Sequence, residues 1–158
     1  MRGAVIGGGL ELATTCHVRV AEKSAYYALP EGQRGIFVGG GGSVRVSRLI
    51  GASRMMEMML TGRTYNAQEG LALSLSHYVV DDGAGLAKGI ELAEKIAGNA
   101  TLTNYALVHV LPRIAQSDPA AGFMMESLMA AAAQDAPEAK QRLRDFLEKR
   151  ASKVVAPK

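Results

Sequence analysis

Cysteine and tryptophan are almost or wholly absent from this sequence. Its 158 residues include a single cysteine, Cys16, and no tryptophan. One cysteine excludes an internal disulfide framework and is typical of proteins from a reducing compartment, so we expect a cytoplasmic location. Because a lone cysteine most often packs as a small apolar side chain, we also expect Cys16 to be buried.

Long apolar runs and runs of one charge are missing as well. No apolar segment approaches the roughly 20 residues that a membrane-spanning helix needs. The apolar stretch after Arg2 contains Glu11 and lacks a small-residue cleavage site, which argues against a secretory signal peptide. The 18 basic residues are interspersed with 15 acidic ones, so the net charge of +3 marks no nucleic-acid surface. We therefore expect no membrane partner and no nucleic-acid partner, whereas binding of a small polyanionic ligand is compatible with this charge pattern.

Glycine is abundant and clustered. The hydrophobic content of 48% is enough for one ordinary core, yet 18 residues are glycine, with runs at 7–9 and 39–42. Glycine weakens a helix by about 1 kcal/mol relative to alanine, so such runs need a reason, such as close approach of the backbone to another group. An acid stands near each run, because Glu11 follows the first and Glu31 precedes the second.

Short strands and helices alternate in the first half of the chain. The segments with strand character are 17–21, 25–29 and 77–80. Pro30 ends the second of these, which places Glu31 on a loop just past a strand. Residues 10–16 have helical spacing and predict a helix that begins at the first glycine run, with Glu11 in its first turn.

Three further helices are predicted before residue 80. One follows the second glycine run and ends at Gly51, the next has Ser53 as its N-cap, and the third has Asn66 as its N-cap and runs through Leu75. The helix after Ser53 carries an apolar stripe that we expect to face the core, made of Met55, Met56, Met59 and Leu60.

The second half of the chain reads as helical. We predict an amphipathic helix over 86–97, a helix over 101–116 that Pro112 bends or breaks, and helices that begin at Asp118-Pro119 and at Pro137. His109 has no acidic or cysteine neighbour at ligand spacing, so we expect no metal site there. The chain is thus α/β and then all-helical.

The glycine runs do not have the pattern of a nucleotide site. Neither follows G-x-G-x-x-G, and neither carries the Lys-Ser/Thr of a phosphate-binding loop. A helix that begins at glycines instead presents unpaired N–H groups, which stabilise a developing anion while nearby carboxylates move protons. On spacing alone, ordinary loops with solvent-facing glutamates are an alternative that stays open.

The sequence closely resembles the crotonase superfamily, the enoyl-CoA hydratase/isomerase group. The resemblance covers nearly the whole chain and rests on GGGLEL at 7–12, PE at 30–31 with GI at 35–36, the glycine turn at 39–42, LTGR at 60–63 and FLEKR at 146–150. It implies part of a crotonase-like ββα spiral over residues 1–80, with both glutamates. It also implies a helical trimerisation region over residues 81–158.

The same resemblance assigns roles to individual residues. The Gly8 N–H would supply half of the oxyanion hole for an acyl thioester carbonyl. Glu11 would orient and deprotonate the attacking water, and Glu31 would manage the proton at the α-carbon, since adding water to a double bond needs both transfers. The residues that it places in substrate binding are Gly7, Pro30, Gly39, Phe146 and Lys149.

The function implied is that of an enoyl-CoA hydratase-like lyase acting on 2-enoyl-CoA thioesters in fatty acid oxidation. Coenzyme A would arrive as part of the substrate, with no permanently bound cofactor, and the protein would form a homo-trimer or hexamer. Two alternatives stay open. One is isomerase, hydrolase or lyase chemistry on another CoA ester. The other is an inactive fragment that acts only as an interaction piece.

Two departures from the family pattern affect these expectations. Val38 stands where the family often has proline, which puts the shape of the acyl pocket in question. Family members also carry on the order of a hundred further upstream residues in a domain of about 250, including the second oxyanion N–H. We therefore expect the 158 residues alone to be inactive, and the strands at 17–21 and 25–29 to lack neighbours.

Overall fold

The structure is a computed structural model and describes residues 1–151. The chain forms two compact units, Met1–Ala93 and a second that begins at Glu94. Among the described residues the strands all belong to the first unit, whereas the second is helical, so the predicted α/β class is confirmed. The division into functional parts at residues 80 and 81 stays a prediction.

Two small sheets organise the first unit. The strands are β1 (Ala4–Ile6), β2 (Val20–Glu22), β3 (Tyr26–Ala28), β4 (Tyr65–Asn66) and β5 (Tyr78–Val80). In one sheet β3 lies between β1, which is parallel to it, and β4, which is antiparallel; in the other, β2 pairs in parallel with β5. The expectation that the strands near 17–21 and 25–29 lack neighbours is therefore wrong.

The helices of this part begin close to where the sequence predicts them. They are α1 (Gly8–Ala13), α2 (Gly42–Ile50), α3 (Ala52–Thr61), α4 (Ala67–Ala72) and α5 (Gly85–Ala97). Asn66 caps α4 as predicted. Ser53 is not a cap, because Gly51, at φ 84° and ψ 147°, both ends α2 and starts α3.

The core of the first unit joins α1, α2 and α3 to the first sheet. Its largest fully buried apolar side chains are Leu10, Tyr27, Leu29, Val46, Met58 and Leu75. The predicted apolar stripe of α3 is half wrong. Met55 is buried and Met59 packs partly against the core, but Met56 is 55% exposed and Leu60 is 78% exposed. The buried face of α3 is centred on Met55 and Met58, at i and i+3, and the other two side chains lie beyond it.

Cys16 is exposed, so the prediction that it is buried is wrong. Helix α1 ends at Ala13, and the buried residue at its end is Thr14, whose hydroxyl donates to the carbonyl oxygen of Glu11 at 2.9 Å. The Cys16 N–H then bonds back to the carbonyl oxygen of Ala13, and this turn carries the thiol outward.

The second unit contains α6 (Thr101–Tyr105), a π-helical segment (Ala106–Val110), α7 (Leu111–Ile114), α8 (Pro119–Asp135) and α9 (Pro137–Leu147). The expected irregularity at Pro112 is present as the wider π turn that precedes it, since proline donates no N–H and its ring crowds the carbonyl of the previous turn. Asp118 caps α8 through bonds from Ala120 and Ala121, and Pro137 begins α9, both as predicted. None of the helices in residues 1–151 has the length and apolar character needed to cross a bilayer.

Candidate active site

The parallel pair β1 and β3 brings the first glycine run and Glu31 together. Ile6 pairs with Ala28, and the Gly7 N–H donates to the carbonyl oxygen of Ala28 at 3.0 Å. Because the two strands run in the same direction, the residues that follow them leave the sheet at the same end. A Cβ placed on Gly7 would stand only 2.7 Å from Glu31 Oε1. The carboxylate of Glu31 therefore lies directly against the start of α1.

Helix α1 presents backbone donors at this point. Gly7 is its N-cap at φ 52°, and Gly8 and Gly9, its first two residues, are exposed. The first N–H groups of an α-helix have no partner within the helix, and the Gly8 N–H is one of them. The Glu11 N–H is the first to bond back, to the carbonyl oxygen of Gly7 at 3.0 Å. The helix start, with its partial positive charge, thus lies against the Glu31 carboxylate, and Glu11 lies in the first turn of the same helix.

The second glycine run holds the Glu11 carboxylate. Glu11 is 6% exposed, and its Oε1 accepts hydrogen bonds from the N–H groups of Gly40 and Gly42, both at 2.8 Å. A Cβ would stand 3.0 Å from Glu11 Oε2 if placed on Gly40, and 2.9 Å from Glu11 Oε1 if placed on Gly42. Glycine is needed at both positions because a side chain on either residue would collide with the carboxylate that these N–H groups hold.

Glu31 is held differently. It is 7% exposed, and its Oε2 is buried without a hydrogen-bond partner among the described residues. Its own carbonyl oxygen accepts from the N–H groups of Arg34 and Ile36, so the backbone is fixed by the short 3₁₀ turn Gly32–Arg34 while the carboxylate is not. A buried carboxylate oxygen without a donor costs free energy and is typical of a functional site. The alternative of solvent-facing glutamates is excluded, since both carboxylates are buried.

Sequence reasoning missed Gly40, Gly42 and Arg45. The four consecutive glycines are a signal that backbone donors approach another group, but they do not say which one. Arg45 Nη2 donates to the carbonyl oxygens of Glu11, at 3.2 Å, and of Gly40. Nothing in the sequence distinguishes Arg45 from Arg48, the other arginine of α2.

Within the part of the chain that the structure describes, no contact tests the substrate-binding roles predicted for the remaining site residues. Gly39 is exposed and has open space where a Cβ would lie, and Pro30 is half-buried. Phe146 is exposed and lies in α9, with Lys149 just beyond it at φ 58°, both in the second unit. Their assigned roles stay predictions. In residues 1–151, no group of three or more His, Cys, Asp or Glu side chains is placed to hold a metal ion.

The fold and the pair of buried glutamates around a glycine-capped helix are those of a crotonase-type protein. Residues 1–154 match the model of the enoyl-CoA hydratase/isomerase family. The chain therefore belongs to the enoyl-CoA hydratase/isomerase family, which confirms the resemblance found in the sequence.

Individual relatives agree with this assignment. A solved structure from Rhodopseudomonas palustris CGA009, named "putative enoyl-CoA hydratase", is 58% identical, with a TM-score of 0.90 over 94% of this chain and 58% of its own. Enoyl-CoA hydratase from Bacillus anthracis is 35% identical, with a TM-score of 0.87 over 94% of this chain and 57% of its own. The fatty acid oxidation complex subunit alpha of Shewanella frigidimarina (strain NCIMB 400) is 41% identical over 97 residues, 60% of this chain and 14% of that protein. The chain thus spans little more than half of these solved structures and a small part of the curated relative.

Proposed function

We propose that the enzyme containing this chain adds water across the double bond of 2-enoyl-CoA thioesters. The observation that carries the proposal is the presence of two buried carboxylates that are held in different ways beside one helix start. Glu11 accepts two backbone N–H groups through Oε1, whereas Glu31 Oε2 has no partner among the described residues. Two acids in distinct surroundings suit a reaction that removes one proton and delivers another.

The chemistry assigns one step to each group. The bonds on Oε1 orient the Glu11 carboxylate, and its Oε2 takes a proton from water as the water oxygen attacks the β-carbon. The electrons of the double bond move toward the thioester carbonyl, whose oxygen becomes an enolate that the Gly8 N–H stabilises. Glu31 then delivers a proton from Oε2 to the α-carbon and takes up a proton from solvent, while Glu11 returns its proton to solvent, so that both carboxyl groups are restored.

The family resemblance supports a proposal for substrate binding and assembly. Coenzyme A is part of the thioester substrate, and this mechanism uses no permanently bound cofactor. Gly7, Pro30 and Gly39 would line the acyl end, and Phe146 and Lys149 would lie near the adenine end of coenzyme A in a homo-trimer or hexamer. The names of the relatives, enoyl-CoA hydratase and fatty acid oxidation complex, support this substrate class.

The test uses the complete enzyme, meaning this chain with any upstream residues of its reading frame. Glu11→Gln and Glu31→Gln should each lower crotonyl-CoA hydration by about 10² or more, the usual scale for a positioned acid or base. Glu22→Gln is the matched control, because Glu22 is equally buried but lies on β2, with Oε1 accepting from the Gly85 N–H at 3.1 Å. Its turnover should stay near that of the wild type.

The outcomes separate the alternatives. Unchanged hydration in both Glu11→Gln and Glu31→Gln would overturn the hydratase proposal. If Glu11→Gln were harmless while double-bond migration continued to depend on Glu31, the enzyme would be an isomerase, since members of that type typically keep only the second acid. A complete enzyme without activity on any CoA ester would support the role of an interaction piece.

A further inference from the structure

Arg45 lies in the first turn of α2 and reaches back over the glycine turn. Its Nη2 donates to the carbonyl oxygen of Glu11 at 3.2 Å and to the carbonyl oxygen of Gly40. A Cβ placed on Gly41 would stand 2.8 Å from Arg45 Cζ, so the guanidinium lies directly against the backbone of this residue. The Nε of Arg45 is buried without a partner among the described residues, which shows that the group is packed into the turn rather than held out in solvent.

These contacts tie together the two segments that meet at the Glu11 carboxylate. Gly40 donates its N–H to Glu11 Oε1 and accepts from Arg45 through its carbonyl oxygen. Glu11 accepts the Gly40 bond through its side chain and the Arg45 bond through its backbone. A single guanidinium nitrogen, Arg45 Nη2, thus connects the backbone of Gly40 to the backbone of Glu11.

The glycine turn needs such a connection. Four consecutive glycines have more conformational freedom than any other sequence, and Gly41 is held at φ 92°. Without a side chain of its own, the turn has little to keep its N–H groups aimed at one oxygen. Arg45, in the first turn of α2, supplies this restraint through its bonds to the backbone of Gly40 and Glu11.

We propose that Arg45 is a positioning residue for Glu11. Arg45 holds the glycine turn at 39–42 so that the N–H groups of Gly40 and Gly42 fix the Glu11 carboxylate. The inference rests on the proposed function and deepens it. Among the hydrogen bonds of the described residues, none joins Arg45 to Glu31. Arg45 therefore serves the activation of water and leaves proton transfer at the α-carbon to Glu31.

Because Arg45 acts on Glu11 alone, its loss should slow hydration without slowing proton exchange at the α-carbon. A catalytic group that is misplaced by about 1 Å can cost about 10²-fold in rate. Arg45→Met keeps an unbranched apolar stem and removes the donors, and it should lower kcat for crotonyl-CoA hydration by about 10- to 100-fold, with little change in KM. Exchange of the α-protons of butyryl-CoA in D₂O needs Glu31 and the oxyanion donor but no attacking water, so it should stay near the wild-type rate.

The experiment measures both reactions in the complete enzyme for four proteins: wild type, Arg45→Met, Arg45→Lys and Arg48→Met. Arg48 is an exposed residue of the same helix and serves as the matched control, with both rates expected to be unchanged. Arg45→Lys keeps a charged donor but lacks the planar guanidinium group, and it should recover part of the lost hydration rate. Equal losses of hydration and exchange in Arg45→Met would show a merely structural role and overturn the proposal.

Two further comparisons keep this result distinct from the proposed function. If Arg45→Met hydrates as fast as Arg48→Met while Glu11→Gln is impaired, only the positioning role fails. If Glu11→Gln hydrates as fast as the wild type, the role assigned to Glu11 in the proposed function fails, and the role of Arg45 fails with it. If Arg45→Met does not fold, the test uses the folded Arg45→Lys variant. A reduced rate of hydration with an unchanged rate of α-proton exchange in that variant would support the positioning role. In a protein that already carries Glu11→Gln, adding Arg45→Lys should lower the rate of hydration little further. If the losses of the two single variants added in full, the proposal would be overturned.

Discussion

The carboxylate of Glu31 occupies the space where a side chain at position 7 would lie. A Cβ on Gly7 would stand 2.7 Å from Glu31 Oε1, and Gly7 has a φ of 52°. Glycine is therefore required at this position for two separable reasons, a positive φ and the close approach of a proposed catalytic carboxylate.

Replacing Gly7 should impair both stability and activity. Gly7→Ala carries the strain of a positive φ, on the order of 1–3 kcal/mol, and also displaces Glu31. Gly3→Ala is the matched control, because Gly3 has a φ of 56° with nothing within 4 Å of its Cβ position. We expect both variants to lose stability in urea unfolding, but only Gly7→Ala to lose crotonyl-CoA hydration, by about 10-fold or more. Equal activity losses would show that the contact with Glu31 is unimportant.

A second glycine is required by packing in the core. Gly70 lies in α4, and a Cβ placed there would stand 2.8 Å from Cδ2 of Tyr27, whose side chain is fully buried. Gly70→Ala should destabilise the protein by about 1–3 kcal/mol through overpacking. Gly89→Ala, in α5 with nothing within 4 Å, should instead stabilise it by up to about 1 kcal/mol. The two variants should change the free energy of unfolding in opposite directions, and an unchanged free energy of unfolding in Gly70→Ala would contradict the packing argument.

The capping box of α4 should make a measurable contribution. Asn66 Oδ1 accepts from the N–H groups of Gln68 and Glu69, each at 2.9 Å, and Glu69 Oε2 accepts from the Asn66 N–H at 2.8 Å. Asn66→Ala should lower the free energy of unfolding by about 1 kcal/mol, whereas Asn66→Asp keeps an acceptor and should lower it much less. The two variants would unfold at the same urea concentration if the cap contributed nothing.

Stability should depend on pH through His77. Its Nδ1 accepts the Arg19 N–H at 3.0 Å, next to the pairing of β2 with β5. Partial burial, and then the nearby Arg19 guanidinium, lower the pKa of His77 below its usual 6.5. The folded state thus favours the neutral ring, so this contribution is fully present above about pH 6.5 and is lost as pH falls through the folded pKa.

The measurement is the urea midpoint between about pH 5 and pH 8. His77→Asn retains an acceptor but does not titrate, and it should flatten the decline at the acidic end. His17→Asn, at an exposed position after α1, is the control and should leave the decline in place. An unchanged slope in His77→Asn would assign the pH dependence to other groups.

Features that depend on neighbouring residues were predictable from the sequence. Asp118 caps α8 through Ala120 and Ala121, and Asn66 caps α4 through Gln68 and Glu69, so each bond lies within a short local pattern. The start of α1 at the first glycine run is local for the same reason. The exposure of Cys16 was not predictable because α1 ends at Ala13, before the cysteine. The exposure of Met56 was not predictable because the elements that face α3, and not the helix itself, decide which of its faces is covered.

The order of residues along the chain places two acids beside glycine runs, and the residues of those motifs were enough to identify the family. How the acids are held depends on the folded chain. The Glu11 carboxylate takes its donors from residues 29 and 31 positions later, and Glu31 reaches Gly7 because β1 and β3 are parallel. A hydrogen bond between distant segments depends on how strands pair and helices pack, and these arise from burial of the whole core rather than from any local pattern.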